Sequence, residues 1–173
     1  MKGNKVGKHL ILSMDLSLNL PAFCVAEINN GIFTVLEISH VDNKKGKLTT
    51  AEKLGRIAHH LKNIFQKYGH FDAVVREKGF SRYANTTQLL FRVVGVSDLV
   101  AYDEMCLREI EEIPPTTIKT IVAGYSKADK QEVEEGVRKL LQEHQKEMEF
   151  YSDDESDAVA VALTYCIKKG LLN

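Results

Sequence analysis

Tryptophan is absent from the 173-residue sequence, and proline occurs three times, cysteine three times and glycine eleven times. So little proline and glycine, beside 44% hydrophobic and 27% charged residues, excludes a disordered tail, a collagen-like repeat and a linker-dominated chain. No apolar run reaches the ~18–20 residues that cross a bilayer, and Met1-Lys2-Gly3-Asn4-Lys5 leads into no signal-peptide core. Cys24, Cys106 and Cys166 are an odd, scattered set without CxxC spacing. They read as reduced core thiols of a cytoplasmic protein, neither a disulfide frame nor a zinc site. Gly124-Tyr125-Ser126-Lys127 is no phosphate loop, GxSxG is missing, and His59-His60 lacks the glutamate of a zinc-protease helix. The length predicts a single domain over residues 1–173.

A net charge of −1 hides an asymmetry. Residues 1–70 carry ten Lys/Arg against five Asp/Glu, and residues 71–173 carry thirteen against nineteen. A whole-chain basic balance would point to nucleic acid, and its absence does not exclude one, because the field acts locally. Acidic residues gather between Glu147 and Asp157.

Periodicity predicts a buried strand over 9–14 that ends at Asp15, then strands over 22–28 and 32–41 joined at Asn29-Asn30-Gly31, a hairpin signal. Thr49 and Glu52 form a capping box ahead of a helix that Gly69 stops. A fourth strand over 71–75 runs into Arg76-Glu77. A helix from about Asn85 to Leu99 is apolar on most sides, which fits either core packing or a subunit interface. A fifth strand over 108–113, a short helix closed by Gly124, a long helix over 128–148 and a last helix over 153–169 follow. Strands first, then strands alternating with helices, give an α/β fold with a mixed sheet.

The acidic residues at element ends carry the chemistry. Asp15 closes the first strand, Glu77 closes the fourth, and Asp154 and Asp157 open the last helix. Carboxylates three apart share a helix face, so four oxygen donors can surround one or two hard cations. Such an ion pair stabilises the attacking and leaving oxygens of a phosphodiester displacement. Other readings exist for each group. Ser152 with Glu155 forms a capping box, an acidic first turn complements the helix dipole, and Glu77 between Arg76 and Lys78 can be a surface ion pair. Asp15 resists such a reading, because a carboxylate at the end of an apolar strand is costly without a partner. Phe80, Arg82 and Tyr83 follow Glu77 in a glycine-containing loop that either stacks on bases and contacts phosphate or is merely pinned in the core. Lys119, Lys127 and Lys130 suit phosphate binding.

In order, these segments resemble the RuvC family of Holliday junction resolvases, within the RNase H and integrase-like superfamily. The opening strand with Asp15 matches the first acidic motif. Val74-Val75-Arg76-Glu77-Lys78-Gly79-Phe80 looks like the second, in which an aromatic follows the acid by three positions. Ile118-Lys119 through Gly124, then Ala128-Asp129-Lys130-Gln131, resembles the basic segment with two lysines eleven apart, and Asp154 to Ala162 resembles the closing DxxDA helix. The likeness runs from about His9 to Tyr165. It implies an RNase H-like fold, with a mixed five-stranded sheet whose first three strands are antiparallel, flanked by helices. It also implies a homodimeric endonuclease that cuts four-way or other branched DNA by paired incision. Asp15, Glu77, Asp154 and Asp157 would be catalytic and bind Mg²⁺, or Mn²⁺ in its place, as two ions. One ion would activate water and the other would stabilise the departing 3′ oxygen. Phe80 would approach the junction centre, Lys119 and Lys130 would contact phosphates near the cut, and Lys127 and Arg82 would add to DNA binding. The helix from Asn85 would supply the dimer interface. The usual glycine after the first aspartate is Ser17 here, the Thr-Gly pair is Pro21-Ala22, and Glu143 to Asp153 is long and acidic. These departures look like those of a bacteriophage-type relative acting in a host cytoplasm. No nucleotide cofactor and no membrane partner is expected. The competing expectations are a branched-DNA-binding protein without catalysis, an ATPase-type nucleotide binder, and an interaction domain that uses the apolar helix.

Overall fold

The computed structural model describes residues 7–79 and 83–172. Five strands form one sheet in the order β3-β2-β1-β4-β5: β1 (His9–Asp15), β2 (Ala22–Asn29), β3 (Ile32–His40), β4 (Ala73–Glu77) and β5 (Glu111–Ile113). β1, β2 and β3 pair antiparallel, while β4 joins β1 and β5 joins β4 in parallel, as the alternation of strands and helices implies. The β2–β3 hairpin turns on Asn30 and Gly31 at φ 51 and 79, the paired positive values that a two-residue primed turn requires. β1 lies in the middle and is covered on both faces, with Ile11, Leu12, Ser13 and Met14 each at most 1% exposed.

Helices α1 (Thr50–Tyr68) and α2 (Ala84–Met105) cover one face over Leu12, Met14, Phe23 and Val25. Helices α3 (Pro115–Ala123), α4 (Lys130–Leu140) and α5 (Asp153–Lys168) cover the other over Ile11, Cys24, Ala26 and Val75. The Thr49–Glu52 capping box forms, with both reciprocal hydrogen bonds. α5 is enclosed on every side, since Ala158 through Leu163 and Cys166 all have 0% exposure. A helix so rich in alanine can lie close to both the sheet and α4.

Several sequence expectations need correction. β4 starts two residues later than predicted, and β5 is three residues long rather than six. α2 runs on past Leu99 to Met105 and ends on Cys106 at φ 52, a left-handed cap on a residue that gives no stop signal. Cys106 is exposed, so only Cys24 and Cys166 are core thiols. The long helix predicted over 128–148 is α4 alone, followed by a single 3₁₀ turn at Glu143–Gln145. Asp129 and Glu132 form a capping box that sets the start of α4 at Lys130. The helix stops at Leu141 because the chain turns to bring Gln145 to the sheet edge. There the Gln145 amide accepts from the Val35 N–H (3.1 Å) and donates to the Val35 C=O (2.9 Å). Leu140 and His144, which a helix continuing to 148 would place on one stripe with Val133 and Val137, are exposed as a result.

α4 crosses α3 at Gly136. A Cβ there would stand 2.3 Å from the Val122 carbonyl oxygen and 2.8 Å from its carbon, and neither backbone atom can swing away. Gly136→Ala is therefore expected to lower stability by about 1–3 kcal/mol despite alanine's better helix propensity. Urea unfolding checks it, and a midpoint equal to or above that of the unsubstituted protein would show that the two helices can separate freely.

Candidate active site

Asp15 and Glu77 end two parallel neighbours, with Met14 in register with Arg76, so both carboxyls leave the same end of the sheet. Side chains alternate along strands. Asp15 thus shares the face of Ile11 and Ser13, and Glu77 that of Val75, which is the face covered by α5. Arg76 points the other way and is buried. It donates to Ser97 Oγ (2.9 Å), to Asp98 and, through Nε, to Glu112 (3.0 Å). Glu77 is consequently not the partner of Arg76, and the ion-pair reading of it fails on the Arg76 side.

The N-terminal part of α5 is tethered at two points. Ser13 Oγ donates to the Ala158 carbonyl at 2.7 Å, joining β1 to α5 beside Asp157. Glu155 is buried and accepts from His40 Nδ1 (2.7 Å) and from the Tyr151 N–H (2.6 Å), while His40 stacks on Tyr151 at 4.2 Å. The predicted Ser152–Glu155 capping box does not form, because His40 and Tyr151 take the Glu155 carboxylate and Ser152 makes no side-chain cap. His40 was legible only as a histidine at a strand end. Glu155 stood in an acidic run where its rotation away from Asp154 and Asp157 was the available signal.

These tethers bring Asp15, Asp154 and Asp157 together, with one oxygen from each lying within 4.8 Å of the others. Glu77 is not in that tight set, yet it is close enough to feel the charge of Asp157. Burial raises the Asp15 carboxyl well above its ordinary range, and Glu77, Asp157 and Asp154 push it further against the opposing pull of Lys130. Burial and the Asp157 charge raise Glu77 to about 7, opposed by Lys119 and Lys130. Asp157 is raised by burial too, with Lys130 opposing and Asp154 adding to it. Partly buried acids that repel one another favour a positive charge among them.

The donor set fits a hard divalent cation. All donors are oxygens, and metal–oxygen bonds of about 2.0–2.1 Å place ligand oxygens about 3–4.2 Å apart, a small contraction from 4.8 Å. Lys130, the first residue of α4, reaches into the same place. Its Nζ lies 3.7, 3.7 and 3.6 Å from Asp153, Asp154 and Asp157. Burial lowers the Lys130 pKa, but Asp157, Asp154, Asp153 and Asp15 more than reverse this and hold it charged. Lys119 stands on α3 with its ammonium donating to the Ala128 carbonyl at 2.6 Å, near Glu77. Lys127 is exposed in the turn before α4 and forms no ion pair among the described residues. Phe80 and Arg82, expected at the junction centre and on phosphate, lie outside the described residues.

Comparison with known proteins places this geometry in a family. The family model "Crossover junction endodeoxyribonuclease RuvC" matches residues 11–165. The crossover junction endodeoxyribonuclease RuvC of Desulfitobacterium hafniense is 32% identical over 124 residues, covering 70% of this chain and 71% of its own. That of Alkaliphilus oremlandii is 28% identical over 156 residues, covering 90% and 92%. Among solved structures, Thermus thermophilus RuvC in complex with a Holliday junction substrate superposes with a TM-score of 0.79 at 21% identity, over 93% of this chain and 94% of that one. The yeast mitochondrial Holliday junction resolvase Ydc2 gives 0.64 at 14% identity, over 93% and 80%. At such identities the superpositions establish the RNase H-like fold. With its acidic motifs at the ends of β1 and β4 and the start of α5, and with the family model matched from Ile11 to Tyr165, the chain belongs to the RuvC family of crossover junction endodeoxyribonucleases.

Proposed function

We propose that this chain is a Holliday junction resolvase, a single nuclease domain that nicks four-way DNA in symmetric pairs and acts on other branched DNA through the same site. The observation that carries the reading is the meeting of Asp15, Asp154 and Asp157 within 4.8 Å, at the sheet end where Glu77 also emerges. These four carboxylates would hold divalent ions, two Mg²⁺ or Mn²⁺ in their place, which when bound supply activation of water and stabilisation of the departing 3′ oxygen. The protein's own groups do the rest. Ser13 and the Glu155–His40 pair hold the α5 carboxylates in register with β1. Lys130 and Lys119 bring positive charge to the edge of the cluster, where the scissile phosphate must lie, and Lys127 extends that charge along the next turn. Phe80 and Arg82 follow Glu77 directly and are assigned to the junction centre and its phosphates. No nucleotide cofactor takes part. No described helix is long and apolar enough to cross a membrane, and the cytoplasm is where such an enzyme meets its DNA.

Paired nicking needs two sites. α2 presents Phe91, Leu99 and Tyr102 along one side at 59, 61 and 58% exposure, while Val93, Ser97 and Val100 face the core. Exposed large apolar groups on one helix side favour association, and the proposed assembly is a homodimer through α2. Leu99→Glu is expected to sediment as a folded monomer and to leave single rather than paired nicks. A dimer that persists in this variant would move the interface elsewhere.

The direct test incubates the protein and an end-labelled four-way junction with Mg²⁺. Paired nicks at symmetric positions are expected. Tight junction binding with no cut in Mg²⁺ or Mn²⁺ would favour a binding protein on the same fold, and equal cutting of linear duplex would remove the branch selectivity.

A further inference from the structure

The connector between β3 and α1 is not a loose loop. Asn43 is fully buried in it, and its backbone N–H donates to Asn19 O (2.9 Å) while its amide donates to Leu18 O (3.0 Å). The Val41 N–H donates to Pro21 O (3.1 Å), and Lys53 Nζ donates to Asn19 Oδ1 (2.7 Å). Every one of these bonds ends on residues 18–21, the loop that leaves Asp15. The connector and that loop are thus one stapled body, and it lies at the carboxylate end of the sheet, since Asp15 pairs with Ala22 and Ala22 with His40.

This body displays positive charge. Lys44, Lys45 and Lys47 are exposed around a turn made possible by Gly46 at φ 84. Asp42 answers Lys45 at 3.4 Å and otherwise accepts from the Lys44 N–H. Lys44, Lys47 and the exposed Arg56, in the second turn of α1, have no acidic partner among the described residues. Arg56 also lines a cleft of about 610 Å³ together with His40, His59, His60 and Asn63. The acids on its wall are Asp42 and Glu52, and Glu52 is committed to the helix cap at Thr49. Exposed cations without acidic partners on one surface make a local positive field, which complements the charge of an external polyanion.

We propose that the Lys44–Lys47 turn with Arg56 is a phosphate track, which carries a duplex arm of the substrate away from the carboxylates along the β3–α1 side. A DNA arm is the favoured occupant because this positive surface is stapled to the loop that leaves Asp15, at the same sheet end as the carboxylates, and its charge complements phosphate. The track rests on the resolvase reading and adds to it a surface outside the cleavage site.

The test compares the wild-type protein with Lys44→Ala/Lys47→Ala/Arg56→Ala on a long-armed four-way junction over a range of salt, in Ca²⁺ to block cutting. Each phosphate contact contributes about 0.9 to the slope of log K against log salt. The triple variant is expected to lose about two to three from that slope and at least about tenfold in affinity near physiological salt. Single-turnover cleavage of the bound junction in Mg²⁺ should stay within about twofold, and so should the affinity of Lys8→Ala/Lys168→Ala, whose charges lie at the opposite sheet end. An unchanged slope and affinity, beside a wild-type protein that binds and cuts, overturns the track alone. Loss of binding to anionic lipid vesicles with DNA binding intact overturns it in favour of a membrane surface. A wild-type protein that neither binds nor cuts branched DNA overturns the resolvase reading and the track with it.

Discussion

Asp15→Asn is expected to lower junction cleavage by more than about 100-fold, the upper end of what losing a mere outer hydrogen-bond partner of a metal ligand costs, and to make the metal-free protein more stable at pH 8. The two effects have one cause. Burial, Glu77, Asp157 and Asp154 all raise the pKa of this carboxyl, so its charged form is disfavoured in the folded chain. Between the unfolded value, about 3.9, and the raised folded one, the folded state holds the extra proton. Stability from this group is therefore complete below about pH 4 and is lost as pH rises through the folded pKa. Asparagine keeps the shape and removes the charge. Its melting temperature should exceed that of the wild type at pH 8 by at least about 2 °C, the size of one kcal/mol in a domain of this length, and the two should converge near pH 4. Thermal melts in EDTA with a parallel cleavage assay read both effects. A variant that melts lower at pH 8 would mean that the ionised carboxylate supports the fold rather than straining it.

The second large effect concerns cation binding and pH. Glu77 is raised to about 7 by burial and by Asp157, and it must be ionised to hold a cation. Mg²⁺ affinity should rise by at least about tenfold per pH unit up to pH 7, because each displaced proton contributes one decade per unit. Above pH 7 the Glu77 contribution levels off. Calorimetry in buffers of different ionisation heat counts the released protons. Glu77→Gln should release about one fewer near pH 6.5 and cut more than about 100-fold more slowly at pH 8. An equal proton count in wild type and variant would place the titration on another group.

The local rules were readable where one segment decides its own structure. The Asn30-Gly31 turn, the Thr49–Glu52 box and the stops at Gly69 and Gly124 depend on residues a few positions apart, and each forms as its chemistry requires. What escaped depends on distant residues. The end of α4 is set by Gln145 reaching Val35, 110 positions away, and the fate of the Ser152–Glu155 pair by His40, 115 positions away. The Asp129–Glu132 box is a local signal that was present and would have fixed the start of α4. In the site, the acidic positions were legible because each lies at the end of a recognisable element. The place of Lys130 among them was not, since its contacts with Asp153, Asp154 and Asp157 need the N-termini of α4 and α5 to lie side by side. A lysine that the sequence suited to phosphate is placed here as a counter-charge of the carboxylates.

The enclosure of α5 has a consequence for how safely such an enzyme can exist beside a chromosome. Asp154 and Asp157 lie on the first two turns of a helix walled in by the sheet and by α3 and α4. Exchanging its central amides, Ala158 through Leu163, with deuterium then requires the whole molecule to open, and those amides should be the slowest in the protein. A chain that loses this helix has therefore lost the rest of the fold with it, and the proposed carboxylate site goes in the same event. If the proposed site is the cleaving one, nicking competence is then tied to the integrity of the whole fold, and a copy whose α5 has opened is inert rather than indiscriminate.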